Sequence, residues 1–177
     1  MGSSATFTHR ESMLADWLTG AQILANGHYY ASKRDSMWND ILGTAVIATT
    51  AIVGSTIFAT LGSSTERGWQ IIVGLISMSA TVLAAVQKSL RFDERATQHR
   101  EAGRVYQSLR QEIEVVLTRL QDGGSVGDDE IAAIKTRRDE IEKAVPTIPS
   151  AFYDRAKKEV RKSKERAKAA AHGAPDA

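Results

Sequence analysis

Residues 41–61 read ILGTAVIATTAIVGSTIFATL, and residues 69–87 read WQIIVGLISMSATVLAAVQ. Neither stretch contains Asp, Glu, Lys, Arg or His. As α-helices they would be about 31 Å and about 28 Å long, close to the hydrocarbon thickness of a bilayer, which is about 30 Å. The sequence therefore predicts two transmembrane helices.

The segment between the two spans, residues 62–68, reads GSSTERG and is polar, with a glycine at each end. A connection this short places two helices side by side and antiparallel. Trp38 precedes the first span and Trp69 opens the second, and indole rings favour the headgroup region of a bilayer. We therefore predict a helical hairpin in the membrane, with Trp38 and Trp69 among the lipid headgroups.

Lysine and arginine residues near the spans indicate how the hairpin is oriented. The turn carries Arg67 alone, whereas five basic residues lie beyond the outer ends of the spans. These five are Lys33, Arg34, Lys88, Arg91 and Arg95. Because positively charged loops stay in the cytoplasm, both termini are expected there and the turn in the periplasm.

A soluble bundle with two wholly buried helices is the alternative to a membrane hairpin. A chain of 177 residues is too small to cover two uncharged helices on every side, so the membrane hairpin is favoured. The net charge of +2 does not indicate a nucleic-acid partner. The chain has no cysteine and four scattered histidines, and it lacks the common catalytic motifs, so neither a cofactor, a metal site nor an enzymatic activity is predicted.

Small and hydroxyl residues form one stripe along each span. The first stripe comprises Ala45, Thr49, Ile52, Thr56 and Ala59, and the second comprises Gln70, Ser77, Thr81, Ala84 and Lys88. Such stripes are typical of close helix packing, and a water-facing pore wall is the alternative. The candidates for either role are Thr49, Thr56, Gln70, Ser77 and Thr81. One hairpin cannot enclose a pathway, so a pore would require several copies, with Ile47, Val53 and Leu75 facing lipid.

Apolar residues recur every three or four positions on both sides of the hairpin. One seam comprises Leu14, Trp17, Ala21, Leu24, His28 and Ala31, and the other comprises His99, Ala102, Tyr106, Leu109, Ile113, Val116 and Leu120. If both helices continue straight from their spans, they form an antiparallel coiled coil with His28 level with His99. Two histidines at one level, with Tyr106 nearby, are candidates for a proton-sensitive lever, and ordinary structural hydrogen bonding is the alternative.

The C-terminal part contains a glycine-rich break, a proline elbow and a basic helix. Eight lysines and arginines lie in residues 155–168, where Lys157, Arg161 and Lys164 are candidates to bind lipid headgroups. A solvated tail is the alternative, and nucleic acid is disfavoured because no aromatic residue is interleaved. The predicted organisation is a flexible N-terminus (1–12), a cytoplasmic helix (13–35), the first span (41–61), a periplasmic turn (62–68), the second span (69–87), a cytoplasmic helix (88–121), a hinge (122–128), a helix (129–145), a basic helix (150–171) and a tail (172–177).

These parts and their order resemble the SLATT family, the two-transmembrane effector domains associated with SMODS nucleotidyltransferases and SLOG sensors in bacterial conflict systems. The likeness covers about residues 14–157. It is carried by the helix with His28, the two spans, the run Leu90-Arg91-Phe92-Asp93-Glu94-Arg95-Ala96, then His99, Tyr106 and Leu109, and the run Val145-Pro146-Thr147-Ile148-Pro149-Ser150-Ala151-Phe152-Tyr153. The predicted fold class is an all-α membrane protein with a two-helix transmembrane hairpin, a cytoplasmic antiparallel coiled coil and C-terminal helices.

The resemblance implies an anti-phage effector that forms pores in the bacterial inner membrane and stops growth or kills the cell when activated. It implies activation by a nucleotide second messenger or by a sensor or nucleotidyltransferase encoded nearby. We expect a homo-oligomer in the lipid bilayer. The alternative is a membrane-anchored scaffold that recruits a cytoplasmic signalling partner without conducting ions.

Overall fold

A computed structural model describes residues 9–60 and 67–172. The described residues form five helices and no strand, so the predicted all-helical fold class is confirmed. The helices are α1 (His9–Thr60), α2 (Arg67–Leu90), α3 (Phe92–Gln121), α4 (Asp128–Ala144) and α5 (Ser150–His172).

Helix α1 runs without interruption for 52 residues. The predicted helices 13–35 and 41–61 both belong to it, because residues 36–40, SMWND, include no glycine or proline that would break a helix. Residues 9–12, predicted as part of a flexible N-terminus, form the first turn of α1. The remainder of that N-terminus, residues 1–8, and the last residue of the first predicted span, Leu61, lie outside the described residues.

The helix predicted over residues 88–121 is interrupted at Arg91. This residue adopts a left-handed backbone conformation, with φ 49°, between the end of α2 and the start of α3. Such a conformation costs a non-glycine residue about 1–2 kcal/mol. The Arg91 side chain donates to Glu94 Oε1 at 2.8 Å and so holds the first turn of α3.

The remaining predicted boundaries differ from the helix ends by one or two residues. Arg67 and Gly68, predicted in the turn, begin α2, and residues 62–66 of that turn lie outside the described part of the chain. His172, predicted in the tail, ends α5, and residues 173–177 are likewise outside it.

The chain divides into two compact units, one formed by residues up to Ser32 and from Thr97 onward, and the other by Lys33–Ala96. In the first, which we call the helical unit, α1 packs against α3 and α4 around one hydrophobic core. That core comprises Leu14, Ala21, Ala25, Tyr106, Leu109, Ile113, Val116, Leu117, Val126, Ile134 and Ile141. Both predicted seams supply residues to this core, as the three- and four-residue spacing requires.

Helix α5 belongs to the helical unit through one narrow apolar stripe. Ala156 and Val160 are buried against Ile23 of α1. The elbow before α5 also lies close to α1, because a Cβ added at Gly27 would stand 3.2 Å from Ile148 Cδ1. Most of the other described side chains of α5 are exposed and many are basic, so this helix packs along one edge and presents most of its charges to the surroundings.

Residues 122–127 of the predicted hinge, 122–128, join α3 to α4 inside the helical unit, and Asp128 begins α4. Gly123 has φ 85°, a conformation that favours glycine, and a Cβ at Gly124 would stand 2.8 Å from the Arg119 carbonyl oxygen. Val126 is buried, and its carbonyl accepts a hydrogen bond from Arg10 at 3.0 Å. Glycine is therefore required at this bend, and its action as a hinge stays a prediction.

The second unit, which we call the span unit, contains the predicted hairpin. Both of its helices contain an apolar stretch long enough to cross a membrane, and none of either stretch is buried inside the structure. Ile47 is 72% exposed and Leu75 is 60% exposed. A core helix of a soluble protein would be covered, so the exposure of these stretches fits a hydrocarbon environment.

Candidate functional site

The two predicted histidines meet inside the helical unit. His28 Nδ1 lies 2.9 Å from His99 Nδ1, which is a hydrogen-bond distance for two imidazoles when one donates and the other accepts. Both side chains are buried. The contact agrees with the antiparallel register predicted from the spans, and the action of the pair as a lever stays a prediction.

Tyr106 completes the cluster around His28. Its ring stacks on the His28 imidazole with the centroids 5.6 Å apart and the planes 20° apart. Burial, and to a smaller extent the neighbouring His99, lower the pKa of His28 from 6.5 to about 4. Burial and then the charge of Glu142 raise the pKa of Tyr106, which Arg138 lowers to a smaller extent. His28 and Tyr106 are therefore both neutral at pH 7.

Carboxylates near the histidines in sequence have other partners. Glu101 accepts a hydrogen bond from Arg104 at 2.6 Å, and Glu94 accepts one from Arg91. Within the span unit, the buried Asp35 carboxylate accepts two hydrogen bonds from Arg34. Among the described residues, the hydrogen bond and ring contacts of His28 thus involve an imidazole and a phenol ring.

Hydroxyl groups of the spans bond to their own helices. Thr49 donates to the Ala45 carbonyl at 2.7 Å, and Thr81 donates to the Ser77 carbonyl at 3.0 Å. Thr50, Ser55 and Ser79 make bonds of the same kind. A hydroxyl satisfied in this way can face lipid or a neighbouring helix without water.

The predicted stripes differ in how the hairpin covers them. On α2 the partly covered residues are Val73, Ile76, Ala80, Leu83 and Gln87, with Ser77 beside them. Thr81 is exposed, whereas Thr49 on α1 is partly covered. The side chains of Thr56 and Gln70 lie outside the described part of the structure. Thr81 is thus available to a neighbouring copy, and whether it packs there or lines a pore stays a prediction.

A polar contact that was not predicted joins the two spans near one end of the hairpin. Gln87 Nε2 lies 3.4 Å from Asn39 Oδ1 and 3.5 Å from the Asn39 carbonyl oxygen. A Cβ at Gly43 would stand 3.3 Å from the same nitrogen. Trp38, 45% exposed, precedes Asn39 in sequence. Polar residues at both span ends were visible in sequence, but their pairing depends on helix rotation.

The headgroup candidates of α5 line a groove of about 500 Å³ between α1 and α5. Lys157, Lys158, Arg161 and Lys164 contribute the positive charges, and Asp154 contributes the one carboxylate among its described lining residues. Lys164 donates to Thr19 Oγ1 at 2.6 Å, which fixes one lysine at the groove. The other tryptophan candidate, Trp69, is 47% exposed in the span unit.

These features define an all-helical membrane protein with two apolar helices and a packed helical unit. The family model described as SMODS and SLOG-associating 2TM effector domain family 4 matches residues 26–174, and the chain belongs to this SLATT family. The predicted family membership is confirmed. SLATT domains are two-transmembrane effectors associated with anti-phage and other conflict systems. No curated protein and no solved structure matches the chain.

Proposed function

We propose that several copies of this chain assemble in the bacterial inner membrane into a gated pore that depolarises the cell when activated. The observation that carries the proposal is that each of two helices contains a span-length apolar stretch with none of it buried, in a chain of an effector family. An effector of this kind acts where its spans lie, and loss of ion gradients is the most direct damage that membrane helices can cause. One hairpin encloses nothing, so the pore is a homo-oligomer.

The proposed orientation places both termini in the cytoplasm and residues 62–68 in the periplasm. It rests on the excess of Lys and Arg beyond the outer ends of the spans. The helical unit would then face the cytoplasm, where a nucleotide second messenger or a sensor or nucleotidyltransferase encoded nearby would activate it.

The proposed gate is the packing of the helical unit around His28 and His99. Helix α1 contributes residues both to this pair and to the first span, so a change at the pair acts on a helix that also enters the membrane. Protonation of both rings would separate the two nitrogens, because each Nδ1 would then carry a hydrogen and neither could accept the shared hydrogen bond. The gate is contradicted if the variant with both histidines replaced by Gln assembles and conducts as the original chain does at every pH from about 8 down to about 4, the pKa of His28.

The runner-up is a membrane-anchored scaffold whose helical unit recruits a signalling partner without conducting ions. It is favoured by the hydroxyl groups of the spans, which are satisfied by their own backbone and need no water. The spans also contain no charged residue that would select ions. Both functions use oligomers and neither requires catalysis, so conductance separates them.

The deciding experiment measures ion flux from liposomes that contain the purified chain. The chain has no cysteine, so single cysteines can be introduced without a background reaction. A water-soluble thiol reagent should block flux through Thr81→Cys but not through the matched variant Leu75→Cys, which we place against lipid. Absence of flux under neutral, acidic and nucleotide-supplemented conditions would favour the scaffold, and equal block at both positions would contradict the proposed pore wall.

The basic groove of α5 is proposed to bind anionic headgroups of the inner leaflet. Lys157 should then react with a water-soluble amine reagent more slowly in anionic liposomes than in zwitterionic ones, because a bound phosphate shields its ammonium. Lys135, exposed on α4 and outside the groove, serves as the matched control. Equal reaction rates of Lys157 in both lipids would exclude the headgroup role.

A further inference from the structure

A cavity of about 470 Å³, partly open to solvent, lies in the helical unit between α1, α3, α4, the segment that leads into α5 and the first turn of α5. Its apolar wall comprises Leu24, Val145, Pro146 and Ile148. Cavities of about 300–1,000 Å³ with mostly apolar walls are typical of small-molecule sites. The space is therefore large enough for a ring-bearing ligand.

Two nitrogens of one buried histidine have different surroundings in this cavity. His28 lines the cavity and is 1% exposed, and its Nδ1 is held by His99. Its Nε2 is turned away from that contact and is not among the buried atoms that lack a partner in the described part of the chain, so water or a ligand in the cavity can reach it. A ligand that bonds to Nε2 would take the place of water at this nitrogen.

The charge around the cavity selects among ligands. Glu142 is the one charged side chain among the described lining residues. Arg138 on the same helix is placed over the Trp17 ring at 5.7 Å from the ring centroid, and its charge affects Tyr106 less than the charge of Glu142 does. His28 is neutral at pH 7, so it neither repels a cation nor attracts an anion. A phosphate or carboxylate ligand would meet the like charge of Glu142, and the weaker influence of Arg138 would offset only part of that repulsion.

Aromatic rings offer a surface for a planar ligand. Tyr106 and Tyr153 both line the cavity, and Tyr106 is already stacked on His28. Planar rings gain dispersion and edge contacts from such neighbours, and a cation is attracted to the face of a tyrosine ring. The attraction of a cation to a tyrosine ring acts in the same direction as the negative charge of Glu142.

We propose that this cavity binds a planar, uncharged or cationic small molecule that donates N–H groups to the Glu142 carboxylate and bonds to His28 Nε2. Amidines, amino-substituted heterocycles and aromatic amines have this chemistry. Negatively charged phosphate compounds do not, and the basic groove of α5 suits them better. The helical unit would then have a binding site for a ligand chemically different from an anionic messenger.

A ligand bonded to Nε2 of His28 would affect the hydrogen bond that Nδ1 of the same ring makes with His99. Its effect on the spans rests on the pore proposed above, whereas the binding site itself does not. Binding is therefore measured on the full chain in detergent micelles, without any ion flux. If the ligand binds but no flux is seen in liposomes, the binding site is supported and the pore is contradicted. If flux is seen but the ligand does not bind, the pore is supported and the binding site is contradicted.

The probe is benzamidine, a planar cation with N–H donors, and benzoate is the anion of the same shape. The chain has four histidines, so imidazole nitrogen signals can be assigned by NMR. Benzamidine should saturate one site and move the His28 signals, and benzoate at equal concentration should not. Glu142→Gln should weaken benzamidine binding about tenfold, as expected for loss of one charge-assisted hydrogen bond.

The matched control is Glu140→Gln, an exposed carboxylate on the same helix that does not line the cavity. It should leave benzamidine affinity unchanged. Both substitutions lie on the exposed side of α4, so the fold should persist, and an unchanged thermal transition verifies this. The proposal is overturned if benzoate binds as tightly as benzamidine, if benzamidine does not saturate, or if Glu140→Gln weakens binding as much as Glu142→Gln does.

Discussion

Acidification is expected to destabilise the helical unit through His28. Burial and the neighbouring His99 lower the pKa of this residue to about 4 in the folded chain, against 6.5 for a free histidine. Between these two values the unfolded chain binds a proton that the folded unit does not bind. The free energy of unfolding therefore falls as the pH drops from 6.5 to about 4. Outside that window the contribution of His28 to this free energy does not change with pH.

The magnitude follows from the two pKa values. The full difference between 6.5 and about 4 corresponds to about 3 kcal/mol once the pH is below both values. Between about pH 7.5 and about pH 5 the same relation gives a loss of about 2 kcal/mol, a large share of the 5–15 kcal/mol typical of a domain. Most carboxylates stay ionised above about pH 5, so this interval isolates the histidine contribution. The groups around His28 are His99 and Tyr106 on α3 and Glu142 on α4.

The assay is urea unfolding of the full chain in detergent micelles, followed by tryptophan fluorescence. The chain has three tryptophans, and Trp17 is the one in the helical unit. Replacing Trp38 and Trp69 by Phe leaves a signal that reports on this unit alone. The free energy of unfolding should be about 2 kcal/mol lower at about pH 5 than at about pH 7.5.

Two variants decide whether His28 causes the loss. His28→Gln keeps a polar side chain at this position but cannot take up a proton there, so its unfolding should depend much less on pH. His9→Gln removes an exposed histidine at the start of α1 and should keep the full dependence. The reasoning is refuted if the original chain is equally stable at both pH values, or if His28→Gln retains the whole loss.

Two other changes test packing and topology. Gly103→Ala should lower stability by about 1–3 kcal/mol in a thermal melt, because its Cβ would stand 3.0 Å from the Tyr29 ring. Gly20→Ala, with nothing within 4 Å of the added carbon, should be neutral or stabilising by up to about 1 kcal/mol, and equal losses would refute the packing. In intact spheroplasts an impermeant thiol reagent should label Ser64→Cys and not Ser12→Cys, and the reverse pattern would invert the orientation.

The spans and the histidine contact could be predicted because their signals are local in sequence. Charge-free runs of sufficient length identify the spans. Because the rise per residue is constant, residues equally far in sequence from the two span ends lie side by side on two antiparallel helices. His28 and His99 are matched within one residue by this reasoning, and they lie in contact.

Other features depend on tertiary packing and gave no local signal. Arg91 breaks the helix without a glycine or proline, so sequence reasoning predicted a continuous helix through it. Arg138 interrupts the apolar stripe of α4, and only the structure shows that its guanidinium lies over Trp17. The cavity escaped prediction because Glu142 is an ordinary surface residue until the proline elbow folds beside it.

The central claim is that the hairpin forms a gated pore, and the membrane potential of bacteria that produce the chain tests it most directly. The potential should be followed with a voltage-sensitive dye during phage infection, and with any sensor or nucleotidyltransferase encoded nearby produced alongside. The account predicts normal potential before the stimulus and collapse after it. A potential that stays normal after the stimulus, with the chain present in the membrane at an unchanged level, would contradict the account.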